Sequence, residues 1–175
     1  LLVLSTLDVS PTSQVRSIVA AIMPFDDRER ADQRATLEWI DSGARLWRTA
    51  PPATPPEHLV AYCALVDSDA RSMLLVDHRN AGLWLPTGGH VDPDEHPRDA
   101  ATRELDEELG IRAPLQQQHS GFLTRTTTVG LDGSHVDVSL WYGFRGTVGM
   151  TVSPDPNEFT DHRWFSFDDI TPAGR

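Results

Sequence analysis

Glu104, Glu107 and Glu108 fall at positions i, i+3 and i+4. On an α-helix this spacing puts all three carboxylates in one sector. Like charges so crowded repel one another, and the arrangement costs stability unless something neutralises it. A hard divalent cation does so, because carboxylate oxygens are its preferred ligands. Arg103 stands beside the acids and can pair with Glu107, or with Glu95 across the preceding loop. Gly88-Gly89 lets the backbone approach closely, so that a main-chain carbonyl can complete a coordination shell. A bare Glu-Glu pair is usually a solvated helix face.

The elements that position these residues follow from periodicity. The spacing predicts a helix over about 97–109, with Pro97 where helices accept proline and Gly110 just past the end. Ala101, Leu105 and Leu109 form the apolar stripe that docks it on a sheet. Residues 58–67 and 72–78 are short apolar runs separated by a polar turn, which predicts a hairpin. Residues 83–91 make a third extended piece, broken by Pro86 and Gly88-Gly89. Residues 121–129 and 135–145 read as strands joined by the turn Leu131-Asp132-Gly133-Ser134. Weaker strand signals occupy 147–152 and 162–167. Upstream, residues 13–48 read as helical. Val15, Ile18, Val19 and Ile22 recur at helical spacing, and Pro24 stops the segment. Asp26 or Asp27 can cap a second helix through Leu37 and Ile40, with Gly43 at its end. The division expected is a helical extension over 1–50, a stiff proline-rich linker over 51–57 and a main domain over 58–175.

The chain's 175 residues suffice for one ordinary domain, and 39% hydrophobic and 23% charged residues fit a globular protein. Fifteen basic against 26 acidic residues give a net charge of -11. An acidic surface repels nucleic-acid backbones, so stable nucleic-acid binding is not expected. It also repels a small polyphosphate unless a cation stands between them. All fifteen basic residues are arginine, which excludes a Schiff-base lysine and a P-loop lysine. Cys63 is the single cysteine and lies in an apolar run, where it reads as a small buried hydrophobe. No run approaches the roughly 20 apolar residues of a membrane span. A cytoplasmic location is expected.

The stretch from Gly89 to Ile111 resembles the Nudix box: Gly, five residues, Glu, seven residues, Arg-Glu, an aliphatic, any residue, Glu-Glu, any residue, Gly, an aliphatic. Every defined position is matched over 23 residues. With typical residue frequencies, such a match arises by chance on the order of once in ten million chains of this length. The resemblance, running from about His58 to Trp164, implies an α/β fold, a Nudix-type α/β/α sandwich around a mixed β-sheet. It implies Mg²⁺ as cofactor, with Mn²⁺ a possible substitute. It makes Glu104 and Glu108 metal ligands, Glu107 a further ligand or the base that deprotonates water, and the Gly88 carbonyl another ligand. Gly89, Glu95 and Gly110 shape the box, and Arg103 holds its geometry. In MutT-like members a further acid lies six residues before a tryptophan. Here Glu158 precedes Trp164 by six, and is either a metal ligand or base, or an exposed loop carboxylate. Thr87 departs from the Pro-Gly-Gly common in the family. The chain stops at Arg175, where the family's second sandwich helix normally follows, so the N-terminal helices or a partner subunit are expected to cover that face.

The family attacks nucleoside diphosphates linked to another moiety, which implies a small nucleotide as partner and attack of water on phosphorus. Arg79 either contacts phosphates or is a solvated turn residue. His135, Asp137, Ser139 and Trp141 share one strand face; Asp137 and Trp141 are candidates to meet the base or sugar, or in the case of Trp141 simply to pack. Thr127 stands where some ADP-ribose and dinucleoside-polyphosphate hydrolases carry Pro or Tyr. By elimination the expected substrate is a nucleoside triphosphate, oxidised or non-standard forms included. The alternatives are a nucleotide sugar, a dinucleotide, or sensing without turnover. The helical extension leaves a homodimer open.

Overall fold

The computed structural model describes residues 10–51, 54–128 and 134–170. Helix α1 spans Pro11–Ala21 and α2 spans Asp27–Asp41. Both begin on side-chain caps, with Ser10 accepting from the Ser13 N–H and Asp26 from the Glu29 N–H. Residues 44–48, expected to be helical, are not. Gly43 takes a positive φ of 78° just after α2 and ends it, as its place in the sequence suggests.

Seven strands follow, interrupted by one helix: β1 (Glu57–Asp67), β2 (Ser72–His78), β3 (Leu83–Leu85), β4 (Thr87–His90), α3 (Pro97–Leu109), β5 (Phe122–Thr128), β6 (His135–Arg145) and β7 (Phe159–Ser166). They form one mixed sheet of order β3-β2-β1-β6-β5, with β4 also on β1 and β7 also on β2. β1 runs parallel to β6, and the other pairs are antiparallel. The β1–β2 turn is held by Asp67, whose Oδ1 accepts from the N–H groups of Asp69 and Ala70. The turn at 131–133 lies outside the described residues. The strand expected at 147–152 is absent. That segment turns, with the Met150 N–H on Thr147 O, and the last strand starts at Phe159 instead of 162.

Strand alternation sorts the sheet into two unlike faces. Leu59, Ala61, Cys63 and Leu65 of β1 stand beside Val138, Leu140, Tyr142 and Phe144 of β6 on one face. They form the core together with Ala100, Ala101, Leu105 and Leu109 of α3. Cys63 is 1% exposed, its Sγ donates to Ala101 O at 2.9 Å, and burial pushes its thiol pKa up, all as a small core residue should behave. Val15, Val19, Ile22, Ile40 and Leu46 join this same cluster, so the apolar residues of α1 and α2 add to the α3 side. The opposite face carries His58, Tyr62, Asp137, Ser139 and Trp141 and lines a cleft.

β5 ends the strand order and so presents unpaired backbone groups. α2 answers two of them: Glu29 Oε1 accepts from the Leu123 N–H at 2.9 Å and Asp32 Oδ2 from the Arg125 N–H at 3.3 Å. The second oxygen of Glu29 takes the Phe25 N–H at 2.6 Å. Glu29→Ala strips acceptors from two backbone donors and should cost about 1–3 kcal/mol in urea unfolding. An unchanged unfolding midpoint would mean that water replaces the carboxylate at this edge.

Candidate active site

α3 is laid down by its own sequence. His96 caps it, its Nδ1 accepting from the Arg98 N–H at 3.0 Å, Pro97 opens it, and Gly110 closes it in the left-handed conformation (φ 64°). With Leu105 and Leu109 fixed in the core, Glu104 and Glu108 point to the sheet edge at β4. Glu108 is 8% exposed and takes the Gly88 N–H on its Oε2 at 3.2 Å. The Glu104 carboxyl rests where a Cβ on Gly89 would stand, which explains the box glycine by direct contact.

Arg103 ties the cluster together. Its Nε and Nη2 grip Glu95 at 3.0 and 2.9 Å, its Nη1 reaches Glu104 at 2.7 Å and Glu107 at 3.1 Å, and Nη2 also meets His90 O at 3.1 Å. Both pairings expected from the sequence are made, and a third to Glu104 is added. Glu107 keeps its side chain 61% exposed, with its carboxylate on Arg103.

The remaining acid arrives from far along the chain. The last turn of α3 leaves carbonyls without helical partners. The Ser153 N–H takes Leu109 O at 2.9 Å, and the Asp155 N–H takes Glu108 O at 2.8 Å. Arg79 clamps the same loop from outside, its N–H on Glu158 O and its Nε on Pro156 O, both at 2.9 Å. The loop so held sets Glu158 against the Glu108 side chain. Arg79 is thus an anchor of the loop bearing Glu158 and is not among the residues lining the cleft.

Burial, then the charges of Glu104 and Glu158, push the Glu108 pKa from 4.5 up to about 9. Burial also raises Glu104, against the opposing pull of Arg103. Two buried acids that resist ionisation, with the Glu158 carboxylate beside them and oxygens as the donor set, fit a hard divalent cation. Gly89→Ala tests this fit. The three atoms nearest the added methyl all belong to the movable end of Glu104, so folding should change by less than about 1 kcal/mol. Mn²⁺ affinity measured by calorimetry should fall roughly 10–100-fold as Glu104 is displaced. Wild-type affinity would separate Glu104 from the ion.

A cleft of about 820 Å³ opens from this cluster across the sheet. Glu108 and Gly88 lie on its wall, as do Thr124, Thr126, Thr127, Thr128 and Ser139. Trp141 is stacked between Tyr62 (4.7 Å) and Phe122 (4.9 Å), and its Nε1 donates to Thr124 Oγ1 at 2.9 Å. Asp137 and His135 also face the cleft, and Asp137 is 8% exposed beside His58. Of the histidines around Asp137, strand alternation had placed His135 on its face, whereas His58 and His90 went unnoticed in the sequence. Their signal was a single histidine at the start of β1 and one at the end of β4, on strands whose mutual register no local pattern reveals.

Comparison with known proteins bears on the same residues. The NUDIX domain family matches residues 56–175. The CTP pyrophosphohydrolase of Escherichia coli is 45% identical over 55 residues, 30% of this chain and 41% of that protein's length. An isopentenyl-diphosphate Delta-isomerase of Mycolicibacterium vanbaalenii is 32% identical over 155 residues, covering 82% of this chain and 84% of that one. Among solved structures, a NUDIX-family hydrolase from Clostridium perfringens superposes with a TM-score of 0.51 at 23% identity, over 64% of this chain and 83% of that chain, a likeness of fold. Among the described residues, no helix is long and apolar enough to cross a membrane.

Proposed function

Because this chain belongs to the Nudix family, we propose that it hydrolyses a phosphoanhydride in a nucleoside-diphosphate-linked substrate, a nucleoside triphosphate split to monophosphate and pyrophosphate being the favoured case. The observation that carries the proposal is the gathering of Glu104 and Glu158 around Glu108, which lines the cleft, with Arg103 holding Glu104 in place. Glu104, Glu108 and Glu158 hold the divalent cation, Mg²⁺ or in its place Mn²⁺. When bound, that ion neutralises phosphate oxygens and acidifies a water for attack on phosphorus. The chain's net charge of -11 makes such neutralisation a condition of binding a polyphosphate at all. Glu158, on the exposed side of the cluster, takes the proton of the attacking water. Glu107 is tied to Arg103 and steadies that arginine's grip on Glu104. Tyr62 and Trp141 line the cleft as an apolar wall for a base, Trp141 by its indole edge because both of its faces are stacked, and the threonine and serine hydroxyls of β5 and β6 offer hydrogen bonds to base and sugar. The CTP specificity in the name of the E. coli relative supports a nucleotide in the cleft, although the match spans under half of that protein.

A second reading rests on the isomerase relative, whose similarity runs through most of both chains. It keeps the diphosphate but replaces phosphoanhydride cleavage with a shift of a carbon–carbon double bond. A panel of triphosphates, nucleotide sugars, dinucleotides and isopentenyl diphosphate, run with and without Mg²⁺, decides between them. Cation-dependent release of pyrophosphate and nucleoside monophosphate is expected. Isomerised diphosphate with no phosphate released would replace the hydrolase reading by the isomerase one. Tight nucleotide binding with no product would make the chain a sensor.

A further inference from the structure

Beyond the carboxylate cluster, three strands converge on a second group of ligating atoms. His58 opens β1, and His135 and Asp137 open β6, with His58 and Asp137 directly paired across the parallel ladder. His58 is fully buried and Asp137 is 8% exposed. The Asp137 Oδ1 lies 3.5 Å from His58 Nε2 and 3.3 Å from His135 Nε2. One ligand atom from each of the three residues lies within 4.8 Å of the other two. His90, at the end of β4, brings its own Nε2 to 3.2 Å from that of His58.

Four features give this group the character of a metal site. His58 Nδ1 sits 2.8 Å from Pro55 O. A carbonyl only accepts, so Nδ1 carries the proton and the Nε2 lone pair of the neutral ring is aimed at Asp137 and His90. This is the arrangement in which an outer hydrogen bond fixes a ligating imidazole. Next, Asp137 Oδ1 is buried and has no hydrogen-bond partner, an orphaned anionic oxygen facing two ring nitrogens. The distances also fit. A tetrahedral ion with bonds of about 2.0–2.1 Å holds its ligand atoms about 3.3–3.4 Å apart, close to the separations found between Asp137 and the two histidines. Finally, the site has one carboxylate, and Arg48 acts electrostatically on both Asp137 and His90. A hard ion held by charge alone is poorly served there, and a borderline ion that bonds to imidazole is well served.

We propose that His58, His135 and Asp137 bind a single borderline divalent cation of the Zn²⁺ class, with His90 against it. This site is separate from the oxygen-only site of Glu104, Glu108 and Glu158. His135 and Asp137 line the cleft that also contains Glu108, so the fourth coordination position faces bound substrate and is open to an oxygen of it or to water. The ion bridges the start of β1 to the start of β6.

Zn²⁺ and Co²⁺ are the probes. Calorimetric titration of the full chain carrying Glu108→Gln, which disables the oxygen site, should still give one tightly bound Zn²⁺ per chain. Co²⁺ in that protein should show the strong visible absorption of a low-coordinate, nitrogen-ligated ion, not the faint bands of an all-oxygen one. Asp137→Asn and His135→Asn, each added to Glu108→Gln, should weaken Zn²⁺ at least 100-fold and bleach the cobalt bands. Circular dichroism of each metal-free variant checks that it folds, and either variant alone suffices. A wild-type stoichiometry of one ion that Glu108→Gln abolishes would overturn the proposal. So would cobalt bands indifferent to both β6 variants. Loss of hydrolysis in Glu108→Gln with Zn²⁺ binding retained leaves both proposals standing, which keeps their failures distinguishable.

Discussion

Glu108→Gln should lower kcat by roughly 10²–10⁴-fold, the range expected when a group acting directly in proton or charge handling is lost, while leaving the metal-free protein at least as stable as the wild type. The two halves of this result have one cause. Glu108 is buried against Glu104 and Glu158, and its pKa of about 9 lies far above the 4.5 it returns to on unfolding. Between those two values the folded protein keeps a proton that the unfolded chain releases. Stability from this residue is therefore fully present below about pH 4.5 and is lost as pH rises toward 9. The slope reaches at most about 1.4 kcal/mol per pH unit. Glutamine is neutral throughout, so in chelator the stability advantage of the variant should widen from pH 5 to pH 8. Mg²⁺ should stabilise the wild type more at pH 8 than at pH 5 and stabilise the variant less at both. Denaturant midpoints across that range, with and without Mg²⁺, give the comparison. A variant that turns over at the wild-type rate removes Glu108 from the site. A pH-independent stability difference contradicts the strain assigned to it.

Arg103→Ala should act in the opposite sense on stability, lowering it by about 2 kcal/mol. Breaking a buried ion pair costs about 3–5 kcal/mol. Arg103 is 30% exposed, and Glu107 is mostly in solvent, so the lower figure applies. Activity should fall as well, because Glu104 and Glu95 lose the fork that holds loop and helix together. Arg103→Lys is the informative control. Lysine keeps the charge but offers a point donor where arginine spans Glu95, Glu104 and His90 O at once, so it should recover part of the stability and little of kcat. Full rescue of kcat by lysine would show that charge, and not the planar fork, positions Glu104.

The sequence by itself determined the acid-bearing helix α3 almost to the residue. Pro97 and Gly110 mark its ends, Leu105 and Leu109 its buried stripe, and the i, i+3, i+4 acids its working face; every one of these is local information, contained within three or four turns. The hairpins and alternating strands were legible for the same reason, whereas the weak signal at 147–152 was not a strand, because the Val148 N–H is bound to Asp67 and the Ser153 N–H just past the segment to the last carbonyl of α3. Glu158 was visible only through its spacing from Trp164. What brings it to Glu108 is a loop hydrogen-bonded to the last carbonyls of α3 and clamped by Arg79, contacts made across 44 to 79 residues of chain. Tertiary structure alone decided that Glu29 and Asp32 seal the edge of β5. It alone decided that His58 of β1 meets His135 and Asp137 of β6 and that His90 of β4 meets His58, since strand order and parallel register are set by the packing of the whole sheet and leave no periodic trace in any one segment.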